Sequence, residues 1–147
     1  MEQKKFFTLK TLLSILIFFA GLGAIDAAYL TYMAYLELPL PCTFSFFDGC
    51  NEVARSPYSK VFGIPLSLFG VVYYLLVIIF SGGYLAFRRE LLRNLIFPLT
   101  SVGFLLSLYF IYIQAFLVGK FCIYCVFSAL MSTILFIAAF YMRRVYK

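Results

Sequence analysis

The sequence predicts an all-α integral membrane protein, a bundle of four transmembrane helices with an outer loop that carries a short helix. Of the 147 residues, 65% are apolar and 12% are charged, whereas soluble domains are about half apolar and about a quarter charged. Windows 61–87, 94–119 and 121–142 contain no charged residue, and window 11–36 contains only Asp26. A hydrocarbon core roughly 30 Å thick needs about 20 helical residues to cross it, so each window can span a bilayer. A water-soluble enzyme is excluded, because it would expose the excess apolar side chains.

The four predicted helices follow these windows in order, because backbone groups inside lipid must be hydrogen-bonded within their own segment. Their bounds are Thr11–Tyr35, Pro65–Phe87, Asn94–Leu117 and Phe121–Met142. The first segment is similar to a signal peptide, but its apolar run is longer than the typical stretch of about 7–15 residues. We therefore expect a retained helix and one four-helix domain over residues 1–147.

The positive charges predict the orientation. Nine lie in the two terminal tails and the second connection, against three in the first and third connections. The nine are Lys4, Lys5, Lys10, Arg88, Arg89, Arg93, Arg143, Arg144 and Lys147, and the three are Arg55, Lys60 and Lys120. By the positive-inside rule, we expect both termini to be cytoplasmic. The expected location is the cell (inner) membrane, which the chain would cross several times. The net charge of +6 then reflects topology and contact with membrane lipid. Because no basic folded module is present, we expect no nucleic acid partner.

All four cysteines fall on the outer side or at its membrane boundary, in a compartment that permits disulfides. Cys122 and Cys125 form a CxxC at the predicted start of the fourth helix, where the helix dipole favours thiolates. A rise of 1.5 Å per residue puts Cys125 roughly 4.5 Å deeper than Cys122. We expect Cys122 to face the outer aqueous side and Cys125 the apolar interior, which suits electron transfer between a soluble partner and an apolar acceptor.

Cys42 and Cys50 lie in the first outer loop, where Pro39, Pro41 and Gly49 interrupt regular structure. A disulfide that closes so short a loop would stabilise the protein by only about 2–3 kcal/mol in the chain-entropy model. A flexible, exposed disulfide is better placed for exchange than for holding helices together.

Two structural alternatives for the cysteines stay open. Four thiolates together could form a tetrahedral zinc site, and two structural disulfides would suit a non-enzymatic membrane scaffold. The chain contains no His, which excludes a Ser-His-Asp triad and a His-ligated haem. From the cysteine spacings we expect no bound metal.

Several features occur together over nearly the whole chain. They are Tyr29–Tyr32, Cys42 and Cys50 with seven residues between them, Ser56, the run Gly63–Gly70, and the CxxC at Cys122–Cys125. This combination resembles the vitamin K epoxide reductase family, in its prokaryotic disulfide-oxidase branch. Oxidases similar to DsbB carry the two cysteine pairs in the reverse order.

The resemblance implies a quinone pocket that the four helices surround near the outer leaflet. It implies that Cys42 and Cys50 take electrons from a thioredoxin-like protein, that Cys50 exchanges with Cys122, and that Cys125 faces the quinone. The quinone would be ubiquinone, menaquinone or one of the vitamin K type. Ser56 matches a family serine near the quinone and the CxxC.

Two positions differ from the animal members, which place an Asn on helix 2 and a Tyr on helix 4 as hydrogen-bond donors to vitamin K. By motif alignment those positions are Leu66 and Ala129 here. We therefore expect disulfide bond formation, with reduction of vitamin K epoxide or quinone as the alternative. Phe69 and Tyr73, on the same helical face as Leu66, are the predicted lining of the pocket. We expect no fused thioredoxin-like domain, and therefore a separate thioredoxin-like protein as the partner.

Asp26 is the one acidic residue inside a predicted span. It lies 16 residues after Lys10, roughly 24 Å along the helix, and therefore in the outer third of the bilayer. Intramembrane acids are functional candidates by default. Two interpretations stay open: proton delivery to a reduced quinone, or a neutral carboxyl hydrogen-bonded to Tyr or Ser.

Overall fold

Four long helices dominate the computed structural model, which describes residues 1–42 and 46–147. They are α1 (Glu2–Tyr35), α3 (Leu66–Phe87), α4 (Glu90–Tyr112) and α5 (Ile123–Val145), and α4 continues into a π-helix at Ile113–Val118. Each is long and apolar enough to cross a membrane. The predicted class, a membrane bundle of four helices, is confirmed.

The connection between α1 and α3 carries the short elements. The six-residue helix α2 (Cys50–Arg55) is followed by a 3-10 turn at Pro57–Ser59. A small antiparallel hairpin then pairs β1 (Lys60–Val61) with β2 (Ile64–Pro65). At its tip Phe62 and Gly63 both have positive φ, at 52° and 79°, as a two-residue type I′ turn requires.

The long helices pack as a ring, in which α1 and α4 each contact both α3 and α5. Every helix contributes a fully buried apolar side chain to the centre. These are Leu13 and Leu16 of α1, Val77 of α3, Ile96 of α4 and Leu135 of α5, all 0% exposed. Burial of such side chains removes apolar surface from contact with lipid and fixes their packing.

Three helix bounds extend beyond the predicted ones. α1 begins at Glu2 rather than Thr11, α4 at Glu90 rather than Asn94, and α5 ends at Val145 rather than Met142. The charge-free windows mark only the part that fits the hydrocarbon core. Lys, Arg and Glu are good helix formers, so the helices continue through the charged flanks.

The two ends of the bundle differ in chemistry. Both termini meet the Arg88–Arg89 connection at one end, where Arg88 Cζ lies 4.4 Å and Lys10 Nζ 4.6 Å from the Phe6 ring centroid. There the Tyr146 hydroxyl donates a hydrogen bond to the backbone oxygen of Lys5. The opposite end holds the described residues of 36–65 and the connection 119–122. We call these the basic end and the cysteine end.

Candidate active site

The cysteine end brings all four cysteines together. Cys42 and Cys50 form a disulfide with a Cα–Cα distance of 6.2 Å, while Cys122 and Cys125 are free thiols. Cys50 and Cys122 share one buried cluster with Leu40, against which Cys42 and Cys125 pack. Since two of the four sulfurs are joined to each other, they are not available as thiolate ligands of a four-cysteine zinc site.

The start of α5 positions the CxxC. Cys122 is the N-cap residue and Cys125 lies in the first turn. The pKa of the Cys122 thiol is lowered, mainly because the Cys125 side chain hydrogen-bonds to it and further because the backbone groups of Tyr124 and Cys125 do so. Burial opposes this effect. Cys122 is therefore the thiol of the pair that is prepared to act as a thiolate.

The first connection is held directly against the start of α5. Asp48 forms an isolated antiparallel bridge with Cys122, and the Gly49 N–H donates to the Phe121 carbonyl oxygen at 3.2 Å. A Cβ atom on Gly49 would collide with Cβ of Lys120. Glycine therefore allows the two backbones to approach so closely.

Asn51 fixes the other side of the same segment. Its Oδ1 accepts from the Leu40 N–H at 2.7 Å, and its Nδ2 donates to the Leu40 carbonyl oxygen at 3.1 Å. One amide thus satisfies both backbone groups of Leu40 and joins the segment before Cys42 to α2. These contacts hold Cys50 in place.

The expectation of a flexible, exposed loop disulfide is wrong for Cys50, which is 0% exposed. The expectation that Cys122 faces water is also wrong, because it is 1% exposed. The physical reason is the bridge between Asp48 and Cys122, which places the loop over the start of α5. Cys42 is only partly buried, so it is the more accessible end of the disulfide.

A large apolar cavity opens beside the cysteines, with a volume of about 990 Å³. Cys50, Cys122 and Cys125 all line it. The five predicted quinone-contacting residues line it as well: Ser56, Leu66, Phe69, Tyr73 and Ala129.

Internal contacts fix two of these five side chains. The Ser56 hydroxyl donates to the Val53 carbonyl oxygen at 2.7 Å. The Tyr73 hydroxyl lies 3.4 Å from Ser132 Oγ, and its ring fills the space that a Cβ on Gly103 would need. The helix-facing glycine therefore determines where Tyr73 stands in the cavity wall.

Gln114 is a site residue that the sequence analysis missed. It lies in the π-helix, is 3% exposed, lines the cavity, and accepts the Cys122 N–H through Oε1 at 2.9 Å. A signal was available, because Gln114 is a long polar side chain in the charge-free window before the CxxC. π-helical turns also occur frequently at functional sites, but neither hydropathy nor cysteine spacing predicts one.

Asp26 is buried and does not line the large cavity. It lines a smaller cavity of about 350 Å³ with Pro41, Ile123, Tyr124 and Phe127. Its Oδ2 has no hydrogen-bond partner within residues 1–42 and 46–147. The expected hydrogen bond to Tyr or Ser is therefore not made by this oxygen, and proton delivery stays a prediction.

Comparison with known proteins gives two findings. Residues 14–140 match the vitamin K epoxide reductase family. The chain is also similar to the thiol-disulfide oxidoreductase LTO1 of Arabidopsis thaliana, with 36% identity over 119 residues. That alignment covers 76% of this chain and 31% of the plant protein, so the chain spans about a third of the length of this relative.

Proposed function

This chain belongs to the vitamin K epoxide reductase family, and on that basis we propose that it is a membrane thiol oxidoreductase supporting disulfide bond formation. Electrons pass from a thioredoxin-like protein to Cys42 and Cys50, then to Cys122 and Cys125, and finally to a quinone. The similarity to a thiol-disulfide oxidoreductase supports the thiol chemistry.

One observation carries the proposal: Cys50 and Cys122 share a buried cluster at the wall of the large cavity. The loop disulfide is thereby adjacent to the CxxC, and the CxxC is adjacent to an apolar binding space. A relay needs both contacts, whereas a scaffold needs neither. The lowered pKa of Cys122 supports the step in which Cys42 attacks Cys50 of the mixed disulfide and Cys122 leaves as the thiolate, since a thiol of lower pKa leaves faster.

The proposed relay consists of successive thiol–disulfide exchanges. A thiolate of the reduced partner attacks the Cys42–Cys50 disulfide at Cys42, its more accessible sulfur, and Cys50 leaves as the thiolate. Completion of that exchange releases the oxidised partner and leaves Cys42 and Cys50 reduced. Cys50 then attacks Cys122 of the oxidised CxxC, and Cys125 leaves as the thiolate.

Cys42 resolves the mixed disulfide between Cys50 and Cys122, which restores the loop disulfide and leaves the CxxC reduced. The two CxxC sulfurs then join again and give up two electrons and two protons. A bound quinone supplies the two-electron acceptor and takes up both protons. Cys125 lines the cavity one helical turn below Cys122 and is the thiol that we place against it.

The cavity fits such a ligand. Its volume of about 990 Å³ is at the upper end of the range of about 300–1,000 Å³ for small-molecule sites, which are mostly apolar with a few polar groups. Ser56, Leu66, Phe69, Tyr73 and Ala129 would form the walls. Leu66 and Ala129 offer no hydrogen bond, so we favour ubiquinone or menaquinone as the acceptor over vitamin K epoxide.

We place the basic end in the cytoplasm and the cysteine end on the outer face of the cell membrane, because nine of the twelve basic residues belong to the termini and the second connection. The outer compartment is the one in which disulfides persist. A membrane-impermeant alkylating reagent should therefore reach the reduced loop cysteines from outside only. Labelling from the cytoplasmic side would contradict this orientation.

The decisive experiment places the purified protein in lipid nanodiscs with a reduced thioredoxin-like protein as electron donor. With quinone in the membrane we expect continuous oxidation of the donor. Without quinone, oxidation should stop once both cysteine pairs are reduced. No oxidation of the donor in either case, with the redox state of both cysteine pairs unchanged throughout, would indicate a structural scaffold.

A further inference from the structure

We propose that Gln114 is the hydrogen-bond donor that holds a carbonyl oxygen of the quinone and links it to the backbone of Cys122. This inference rests on the proposed function, because it assigns a residue to the acceptor side of the same site. Binding of the quinone carbonyl by Gln114 involves no covalent change. The Gln114 carboxamide accepts a hydrogen bond from the Cys122 N–H and would donate one to the quinone.

The orientation of the Gln114 amide is determined by its partner. The backbone N–H of Cys122 lies 2.9 Å from Oε1 of Gln114. A backbone N–H can only donate, so the atom that faces it must be the carbonyl oxygen rather than the NH₂ group. Nε2 is therefore the remaining polar atom of the side chain, and both of its protons are donors.

That donor group is left for a ligand. Nε2 of Gln114 donates no hydrogen bond to any residue that the structure describes, although the residue is only 3% exposed. Nε2 is not among the fully buried polar atoms without a partner, so it is accessible within the cavity that Gln114 lines. A carbonyl oxygen that enters the cavity would satisfy it.

Several other donors that line the cavity are already used within the protein. Each donates to a nearby carbonyl oxygen: Tyr74 to Ser128 at 2.7 Å, Ser56 to Val53 at 2.7 Å, Asn51 to Leu40 at 3.1 Å, and Ser107 to Gly103 at 2.9 Å. Tyr73 has only the longer contact of 3.4 Å with Ser132. Gln114 alone among these side chains also bonds directly to the CxxC.

The shared carboxamide has an electronic consequence. A hydrogen bond accepted at Oε1 polarises the amide and makes Nε2–H a stronger donor, as in hydrogen-bonded chains generally. The contact with Cys122 therefore strengthens the contact with the ligand. It also keeps the ligand's carbonyl at a fixed place relative to the two sulfurs.

The test uses duroquinone, whose ring carbons are all substituted and cannot add thiols. Durene, the same ring without the two carbonyl oxygens, is the matched control ligand. Binding is measured in nanodiscs with both cysteine pairs oxidised, so that no turnover occurs. The variant is Gln114→Met, which keeps the length of the side chain. The control variant is Ser101→Ala, on the same helix, whose hydroxyl donates to the Phe97 carbonyl oxygen.

We expect Gln114→Met to weaken duroquinone binding by about 3- to 10-fold, the usual effect of one neutral hydrogen bond. Durene binding should stay the same, because durene has no acceptor. Ser101→Ala should change neither affinity. As a second readout, the infrared carbonyl band of duroquinone should be shifted to lower frequency in the wild-type protein and should move back in Gln114→Met.

Equal losses for duroquinone and durene would mean that Gln114 only shapes the cavity, and would overturn this inference alone. A wild-type carbonyl band at the frequency of the free quinone would overturn it without any variant. If the wild-type protein binds no duroquinone and the loop and helix cysteines still exchange, both this inference and the proposed quinone acceptor are wrong.

Discussion

The two cysteine pairs reach the same site by different physical means. Cys122 and Cys125 stand at the start of a 23-residue apolar helix, so the burial of a whole span determines their position. Cys42 and Cys50 belong to a connection with a helix of only six residues, held by the contacts of Gly49 with Phe121 and of Asn51 with Leu40. The helix pair is fixed by hydrophobicity and the loop pair by a few backbone hydrogen bonds.

This difference suggests a division of work. Under the proposed function, the helix pair faces an apolar acceptor and benefits from a rigid span, whereas the loop pair meets both a soluble partner and the CxxC and benefits from a segment that can open. Local opening is easiest where few buried apolar contacts hold a segment. Substitutions in the two pairs should therefore have separable effects.

Removal of one sulfur of the helix pair should stop the relay at an identifiable step. In Cys125→Ser the CxxC cannot form its own disulfide, so the Cys122 thiolate can only attack the loop disulfide at Cys50. A Cys50–Cys122 mixed disulfide should then form with Cys42 as the released thiol, and quinone reduction should fall to background. Cys122→Ser should form no such link. Non-reducing peptide mapping distinguishes the variants. Undiminished quinone reduction by Cys125→Ser would mean that the roles of the two CxxC thiols are reversed.

Displacement of the loop should disable one pair and spare the other. Gly49→Ala adds a Cβ where Lys120 already lies, and overpacking of this kind costs about 1–3 kcal/mol. We expect transfer from the loop pair to the CxxC to slow by roughly 5- to 150-fold. Quinone reduction driven by dithiothreitol, a small membrane-permeant dithiol, should persist.

The matched control for this substitution is Gly82→Ala, where the added Cβ meets no atom within 4 Å. It should transfer electrons at the wild-type rate. Loss of the dithiothreitol-driven reaction in Gly49→Ala would show that the loop also shapes the acceptor site, and the comparison between the two pairs would then fail.

The same contrast explains which parts of the molecule could be predicted from the sequence. Hydropathy reports how long an apolar segment is, so the order of the four spans and the position of Cys122 at a helix start could be predicted. The burial of Cys50 could not, because it depends on the hydrogen bond from Gly49 to Phe121 and on the amide of Asn51. The position of Gln114 in the site could not be predicted for a similar reason. It depends on a hydrogen bond with Cys122, eight residues away, across the end of a π-helix.

The acidity of Cys122 offers a graded test of the helix pair. Its thiol pKa is lowered mainly by the hydrogen bond from Cys125, so its thiolate should form at lower pH than that of an ordinary cysteine, for which the pKa is about 8.5. In reduced protein, alkylation of Cys122 should reach half its maximal rate below that pH. Cys125→Ala removes the hydrogen bond and should move the midpoint upward. A midpoint that does not move would show that the helix N-terminus, rather than Cys125, sets the acidity.

The smallest effect should come from the ion pairs at the cysteine end. Lys120 Nζ lies 3.5 Å from the Asp48 carboxylate and 3.7 Å from that of Glu52, and all three side chains are at least 42% exposed. Exposed pairs contribute about 0–1 kcal/mol and are screened by salt, so Lys120→Met should slow transfer between the cysteine pairs by no more than about fivefold. The rate of the wild-type protein should likewise change little between low and high salt. A loss in Lys120→Met as large as that in Gly49→Ala would mean that charge, rather than backbone hydrogen bonding, holds the loop pair over the CxxC.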